Sequence, residues 1–197
     1  MTKAERTRQF IIERSSAIFN TRGYDSTSLS DIQNATKLTK GAIYGNFANK
    51  KELAIAAYEH NFSSLMEKIS ALMKHTHSAK SALMAYANFY VQNWETVFKV
   101  GGCPMLNAAV EADDHLHYLR DAVRKSMQRF MKILQQTIEE GQARNEFKAD
   151  VNSEEYAATI FTLMEGNILL AKTMNDPKYF QISANRIKSI IEKDLAS

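Results

Sequence analysis

Four helix starts crowd into the first fifty residues, and that spacing leaves few folds open to the chain. Over residues 4–22, Phe10, Ile11, Ile12, Ser15, Ile18 and Phe19 fall on one stripe with Arg6, Arg8, Glu13 and Arg14 outside it, which predicts an amphipathic helix. Gly23 supplies its left-handed stop and Tyr24 can close over the end of the core. Ser28 and Asp31 have capping-box spacing and open a short helix that carries Leu29, Ile32 and Ala35 inward and yields near Thr36-Lys37. Thr39 caps a third helix through Lys40, Ile43, Tyr44 and Phe47, and Asn49 with Glu52 begins a long fourth one. A three-residue joint between the second and third helices, with the third standing proud, describes a helix-turn-helix. About fifty residues cannot bury a stable core alone, so this head must lean on the fourth helix.

The remaining pattern is also helical. Residues 79–98 form a helix ended by the Gly101-Gly102-Cys103-Pro104 break, and Pro104 suits the first position of a helix over 105–113. Residues 116–140 continue to a stop at Gly141, and 153–174 and 178–195 supply two last helices. No segment alternates with a two-residue period, and seven glycines and two prolines are few for a fold rich in tight turns. The expected fold is all-α with about nine helices: residues 1–52 as a three-helix head, residues 53–197 as a larger helical domain.

The net charge of +3 hides an asymmetry, because residues 1–52 hold nine Lys/Arg against five Asp/Glu while residues 53–197 hold sixteen against seventeen. A basic head suits a polyanion, since Lys and Arg displace the counterions condensed on phosphates. The single cysteine forbids an internal disulfide, the first residues lack the apolar run of a signal peptide, and no segment approaches the roughly 18 apolar residues of a membrane span. A cytoplasmic setting with no membrane partner is expected. There is no nucleophile elbow, HExxH helix or phosphate loop, and Glu111 with His115 or His75 with His77 fall short of a zinc set. Neither an enzyme, a metal site nor a bound cofactor is expected.

Thr7 to Leu53 resembles the N-terminal domain of the TetR family of bacterial repressors. The likeness lies in Phe19-Asn20-Thr21-Arg22-Gly23-Tyr24, in Thr27-Ser28 with Asp31-Ile32, and in Thr39-Lys40-Gly41-Ala42-Ile43-Tyr44 leading through Phe47 to Asn49-Lys50-Lys51-Glu52-Leu53. The rest of the chain matches only in helical layout. Two departures stand out: Thr36-Lys37 occupies a turn where the family favours alanine and glycine, and Gly45 replaces a position that is often aromatic or histidine. The turn is expected to form with a little strain, and Gly45 leaves a gap in the reading surface.

The resemblance implies a homodimer that binds double-stranded operator DNA and releases it when a small-molecule inducer occupies the body. On the third helix, Lys40 can donate to guanine, Ala42 can touch a thymine methyl, and Asn46 can reach adenine or a phosphate, while Gly45 contributes room. By resemblance, phosphate contacts fall to Thr27, Ser28, Thr39, Tyr44 and Lys50. The last two helices are implied to form the dimer interface, with Ala157, Ile160, Phe161, Met164, Gly166 and Ile168 facing the partner.

A ligand pocket is expected among the middle helices, where Met66, Phe89, Tyr90, Trp94, Met105, Met127, Phe130 and Met131 concentrate, with Asn107 and Glu111 one turn apart as orienting groups. Plain core packing is the competing reading of that apolar set. Cys103 at a helix start offers a different trigger, an electrophile or redox sensor, against the reading of an inert packing thiol.

Overall fold

Each of the first three helices begins where a side-chain hydroxyl meets an otherwise unpaired backbone N–H. In the computed structural model, which describes residues 1–197, Thr2 accepts from the Glu5 N–H and opens α1 (Lys3–Arg22). Ser28 accepts from the Asp31 N–H, Asp31 accepts in return from the Ser28 N–H, and α2 (Leu29–Thr36) follows. Thr39 accepts from the Ala42 N–H at 3.2 Å and opens α3 (Lys40–Tyr44). Gly23 ends α1 at φ 96°, and Lys37 ends α2 in the left-handed region at φ 58°, so the turn forms with lysine where glycine would be unstrained. The third helix stops at Tyr44 rather than running through Phe47. Gly45 and Asn46 turn there, yet the Phe47 N–H still donates to the Ile43 carbonyl at 3.2 Å and the ring stays buried.

Next comes α4 (Lys50–Lys74), begun by Asn49, whose side-chain oxygen accepts from the Glu52 N–H. The single helix expected over 79–98 is two, α5 (Ala79–Gln92) and α6 (Trp94–Lys99), because Asn93 leaves helical geometry at φ −117° and ψ 20°, its side-chain amide folded back to donate to the Phe89 carbonyl at 2.8 Å. Then follow α7 (Pro104–Asp114), α8 (His117–Ala143), α9 (Ser153–Met174) and α10 (Lys178–Ile190), with a π turn at Ile191–Leu195. Gly141 does not end its helix. It lies inside α8 because a Cβ there would sit 2.3 Å from the Phe147 ring, and Asn145 at φ 56° takes the left-handed turn instead. No helix is long and apolar enough to cross a membrane.

The chain divides into two compact units, residues 1–65 with 100–126, and residues 66–99 with 127–197. The first contains the whole helix-turn-helix and completes its core with α7 and the start of α8, where a boundary at residue 52 was expected. Ile11, Phe19, Tyr24, Ile32, Ile43 and Tyr58 are fully buried there, Phe19 and Tyr24 stacking at 5.4 Å between centroids. In the second unit, α10 packs against α5 and α9 around Tyr86, Tyr90, Phe130, Phe161 and Phe180. Edge contacts at 5.1 Å (Tyr86–Phe130) and 5.6 Å (Phe130–Phe161) tie these rings together, an arrangement worth about 0.5–1.5 kcal/mol per pair beyond burial.

Candidate nucleic-acid interface

The reading surface rests on buried anchors. Ile32 from α2, Ile43 from α3 and Phe47 are buried, and this fixes which side chains remain outside. Ser28, Thr39, Lys40 and Gly45 are exposed, whereas Ala42, Tyr44, Asn46 and Lys50 are half-buried. Lys40 Nζ stands 6.0 Å from the Tyr44 ring centroid, within range of a weak cation–π contact. The Asn46 side-chain amide donates back to the Ala42 carbonyl at 2.9 Å, and Lys50 Nζ donates to the Asp25 carbonyl at 2.8 Å. Each keeps further donors beyond these bonds, since an ammonium carries three N–H groups and an amide two.

Thr27 departs from the expected surface. It is fully buried and its hydroxyl donates to the Gly23 carbonyl at 2.6 Å, so it closes the turn between α1 and α2 while Ser28 beside it is left outside. Arg8, which the amphipathic pattern leaves on the solvent side of α1, braces the reading surface from behind. Its guanidinium lies 4.1 Å from the Phe47 ring centroid, donates to the Asn46 carbonyl and pairs with Glu52 at 2.9 Å. No spacing rule could announce this, since the bonded partners lie 38 and 44 residues away. The Glu52 carboxyl is held below its ordinary value by the Ala48 N–H and then by Arg8.

Asn107 and Glu111 have their polar groups committed to the head. Glu111 accepts from the Tyr24 N–H at 2.9 Å and the Asp25 N–H at 2.8 Å, and its carboxylate lies against Gly23, where a Cβ would come within 3.2 Å of Oε1. Asn107 donates to the Gly101 carbonyl at 2.8 Å and to the Asn20 carbonyl and side-chain oxygen at 3.1 Å. Asn20 in turn donates to the Val100 carbonyl at 2.6 Å, and Gly101, at φ 93°, has no room for a Cβ, which would lie 2.7 Å from the Asn20 carbonyl oxygen. α7 is thus latched to the end of α1. The nearby Tyr118 hydroxyl is pushed up to about 12, chiefly by burial, with the Glu111 and Asp25 charges adding to it.

The other expected pocket residues divide between the units: Cys103 and Met105 lie in the first, and Met66, Phe89, Tyr90, Trp94, Met127, Phe130 and Met131 in the second. Met66, Phe89, Tyr90, Met105 and Phe130 are buried, while Trp94, Met127 and Met131 are half-buried. Cys103 is 1% exposed at the N-cap of α7, which suits a packing thiol and puts the sulfur out of reach of a solvent electrophile. A cavity of about 710 Å³ in the second unit is lined by none of these residues.

The expected dimer face is turned inward. Ala157, Ile160, Phe161, Met164 and Ile168 are buried within the chain's own core, and only Gly166 of that set is exposed. α9 is apolar around most of its circumference, so composition could not choose the side, and α10 and Phe130 occupy the one proposed. What remains outside is Leu169 at 54%, Leu170 at 46% and Met174 at 60% exposure on α9, with Ile182 at 50% on α10.

A helix-turn-helix on a basic head, followed by a larger helical body, defines a DNA-binding transcriptional regulator. The sequence pattern described as "Bacterial regulatory proteins, tetR family" matches residues 11–57, and that described as "Tetracyclin repressor-like, C-terminal domain" matches residues 79–187. The chain belongs to the TetR family. It is similar to a TetR-family transcriptional regulator from Cytophaga hutchinsonii, with 35% identity, a TM-score of 0.93, and 98% of this chain and 96% of that one covered. A TetR transcriptional regulator from Chloroflexus aurantiacus superposes with the same TM-score of 0.93 at 29% identity, covering 100% of this chain and 99% of the other. The HTH-type transcriptional repressor DhaR of Mycobacterium sp. is 25% identical over 165 residues, covering 84% of this chain and 82% of DhaR.

Proposed function

We propose that this regulator is a cytoplasmic, non-enzymatic, homodimeric repressor that holds a pseudo-palindromic operator and releases it when a small molecule occupies the body. Residues 1–52 act as the DNA-binding domain and 53–197 carry ligand binding and dimerisation. The observation that supports the reading best is the separation at α2 and α3: Ile32, Ile43 and Phe47 are buried while Ser28, Thr39 and Lys40 are exposed. Such a helix can enter the major groove with its outer side chains while its inner ones hold the fold.

In this reading Lys40 and Ala42 meet base edges, Gly45 and Asn46 border them, and Ser28, Thr39, Tyr44 and Lys50 hold phosphates. The partner copy is met through Leu169, Leu170, Met174 and Ile182 rather than through the buried face of α9, since these are the large apolar side chains that α9 and α10 leave about half exposed or more. Gel shifts with fragments of the source genome test the assignment. Tyr44→Phe should weaken binding to all sequences alike, because it loses a phosphate contact, and Lys40→Ala should relax preference at one base pair. A Tyr44→Phe protein with unchanged affinity and altered base preference would contradict it.

A further inference from the structure

The cavity of about 710 Å³ lies between the end of α4, the start of α5 and the second half of α8, and its size falls within the roughly 300–1,000 Å³ of small-molecule sites. Its apolar wall is Met73, Ala79, Ala82 and Ile133. Around that wall stand Lys74, Arg129, Lys132 and Arg144, against a single lining carboxylate, Glu140. Lys74 and Arg144 make no ion pair, and Lys132 Nζ reaches only the Gln135 side-chain oxygen at 3.4 Å. Glu146 sits beside that wall, its Oε2 accepting from the Ala79 N–H at 2.8 Å and the Lys80 N–H at 3.4 Å, and its charge offsets only part of the excess.

The shape of this cavity is fixed by close packing. Gly141 lets α8 approach α5 so nearly that a Cβ would lie 2.8 Å from the Ala79 Cβ, and the Phe147 ring crowds the same space. Along α8, Arg129, Lys132, Ile133, Gln136, Thr137 and Glu140 recur at spacings of three and four, so one face of the helix supplies two of the four cations and part of the apolar wall. An excess of positive charge in a concave site with low-dielectric walls concentrates potential on whatever enters.

We propose that this cavity binds an amphipathic organic anion, its head met by Lys74, Lys132 and Arg144 and its apolar body laid on Met73, Ala82 and Ile133. The cavity selects on charge first and on apolar length second. The assignment names the class of effector for the repressor proposed above, and rests on that reading only for its consequence at the operator.

Isothermal titration of the full-length protein at fixed ionic strength, with decanoate and with decyltrimethylammonium as the oppositely charged control, tests it without DNA. Decanoate should bind saturably and the cation should not. Lys132→Glu/Arg144→Glu should weaken decanoate by about tenfold or more, as should the neutral pair Lys132→Gln/Arg144→Gln, whereas Lys68→Glu/Lys125→Glu, an equal charge change outside the cavity, should not. Both cavity positions are exposed, so the neutral pair keeps the fold, which a circular dichroism melt verifies. Equal binding of the cation, or full decanoate affinity in either cavity variant, overturns the site. In a separate gel shift, decanoate should release DNA from the parent protein and not from Lys132→Gln/Arg144→Gln. Binding without release removes the effector role, while a parent protein that ignores DNA refutes the repressor reading and leaves the titration result intact.

Discussion

Glu111→Ala strikes the latch between α7 and the head without touching any residue proposed to meet DNA. It removes a carboxylate that accepts from the Tyr24 N–H at 2.9 Å and the Asp25 N–H at 2.8 Å. Hydrogen bonds to a charged group contribute about 1.5–3 kcal/mol each. The Asp25 N–H is exposed and recovers water, but the Tyr24 N–H is partly buried and loses its partner, so the net cost is about 2 kcal/mol. For a chain of this length that lowers the melting temperature by roughly 4–8 °C. Glu111→Gln keeps one acceptor oxygen and should cost about half as much. Thermal melts followed by circular dichroism give the stability, and amide exchange at Tyr24 and Asp25 localises the loss. The Tyr118 hydroxyl, relieved of a neighbouring negative charge, should titrate below its present value of about 12. A Glu111→Ala protein that melts with the parent and protects the Tyr24 amide equally would refute the latch.

Gly141→Ala places a Cβ 2.3 Å from the buried Phe147 ring, so overpacking should cost about 1–3 kcal/mol in a denaturant melt. An unchanged midpoint would show that α8 and Phe147 are not pressed together. Acid should loosen the head through Glu52 and Asp31. Both carboxyls are held below their ordinary values of 4.5 and 3.8, by the Ala48 N–H and Arg8 and by Ser28 and Arg22 respectively, so their contribution is present above those values and lost as pH falls through the lower, folded ones. Glu52→Gln should flatten that dependence in a pH series of melts. Leu170→Glu with Met174→Glu should shift sedimentation from dimer to monomer with the helical signal intact, whereas a persistent dimer would place the interface elsewhere.

The head was largely legible because its signals are local. Ser28 with Asp31 and Thr39 with Ala42 lie three residues apart, so side-chain chemistry alone marks the helix starts, and Gly23 marks a stop by its conformational freedom. What escaped reading depends on distant partners. Asn107 and Glu111 look like a polar pair free to orient a ligand until Asn20, Tyr24 and Asp25 are found bonded to them. Gly141 reads as a helix stop until Phe147 is seen against it. On α9, an apolar surface wider than one core stripe left open which side faces inward, and the packing of α10 decides it. The basic cavity was missed because Lys74 and Arg144 are far apart in sequence and each passes for a solvated surface charge.

Footprinting the protein on the genomic fragment it selects decides whether a two-fold regulator reads DNA through α3. Two inverted half-sites should be protected, their centres about one helical turn, roughly 34 Å, or a multiple of it apart, with the bound species a dimer. Protection of one asymmetric half-site by a monomer would contradict it.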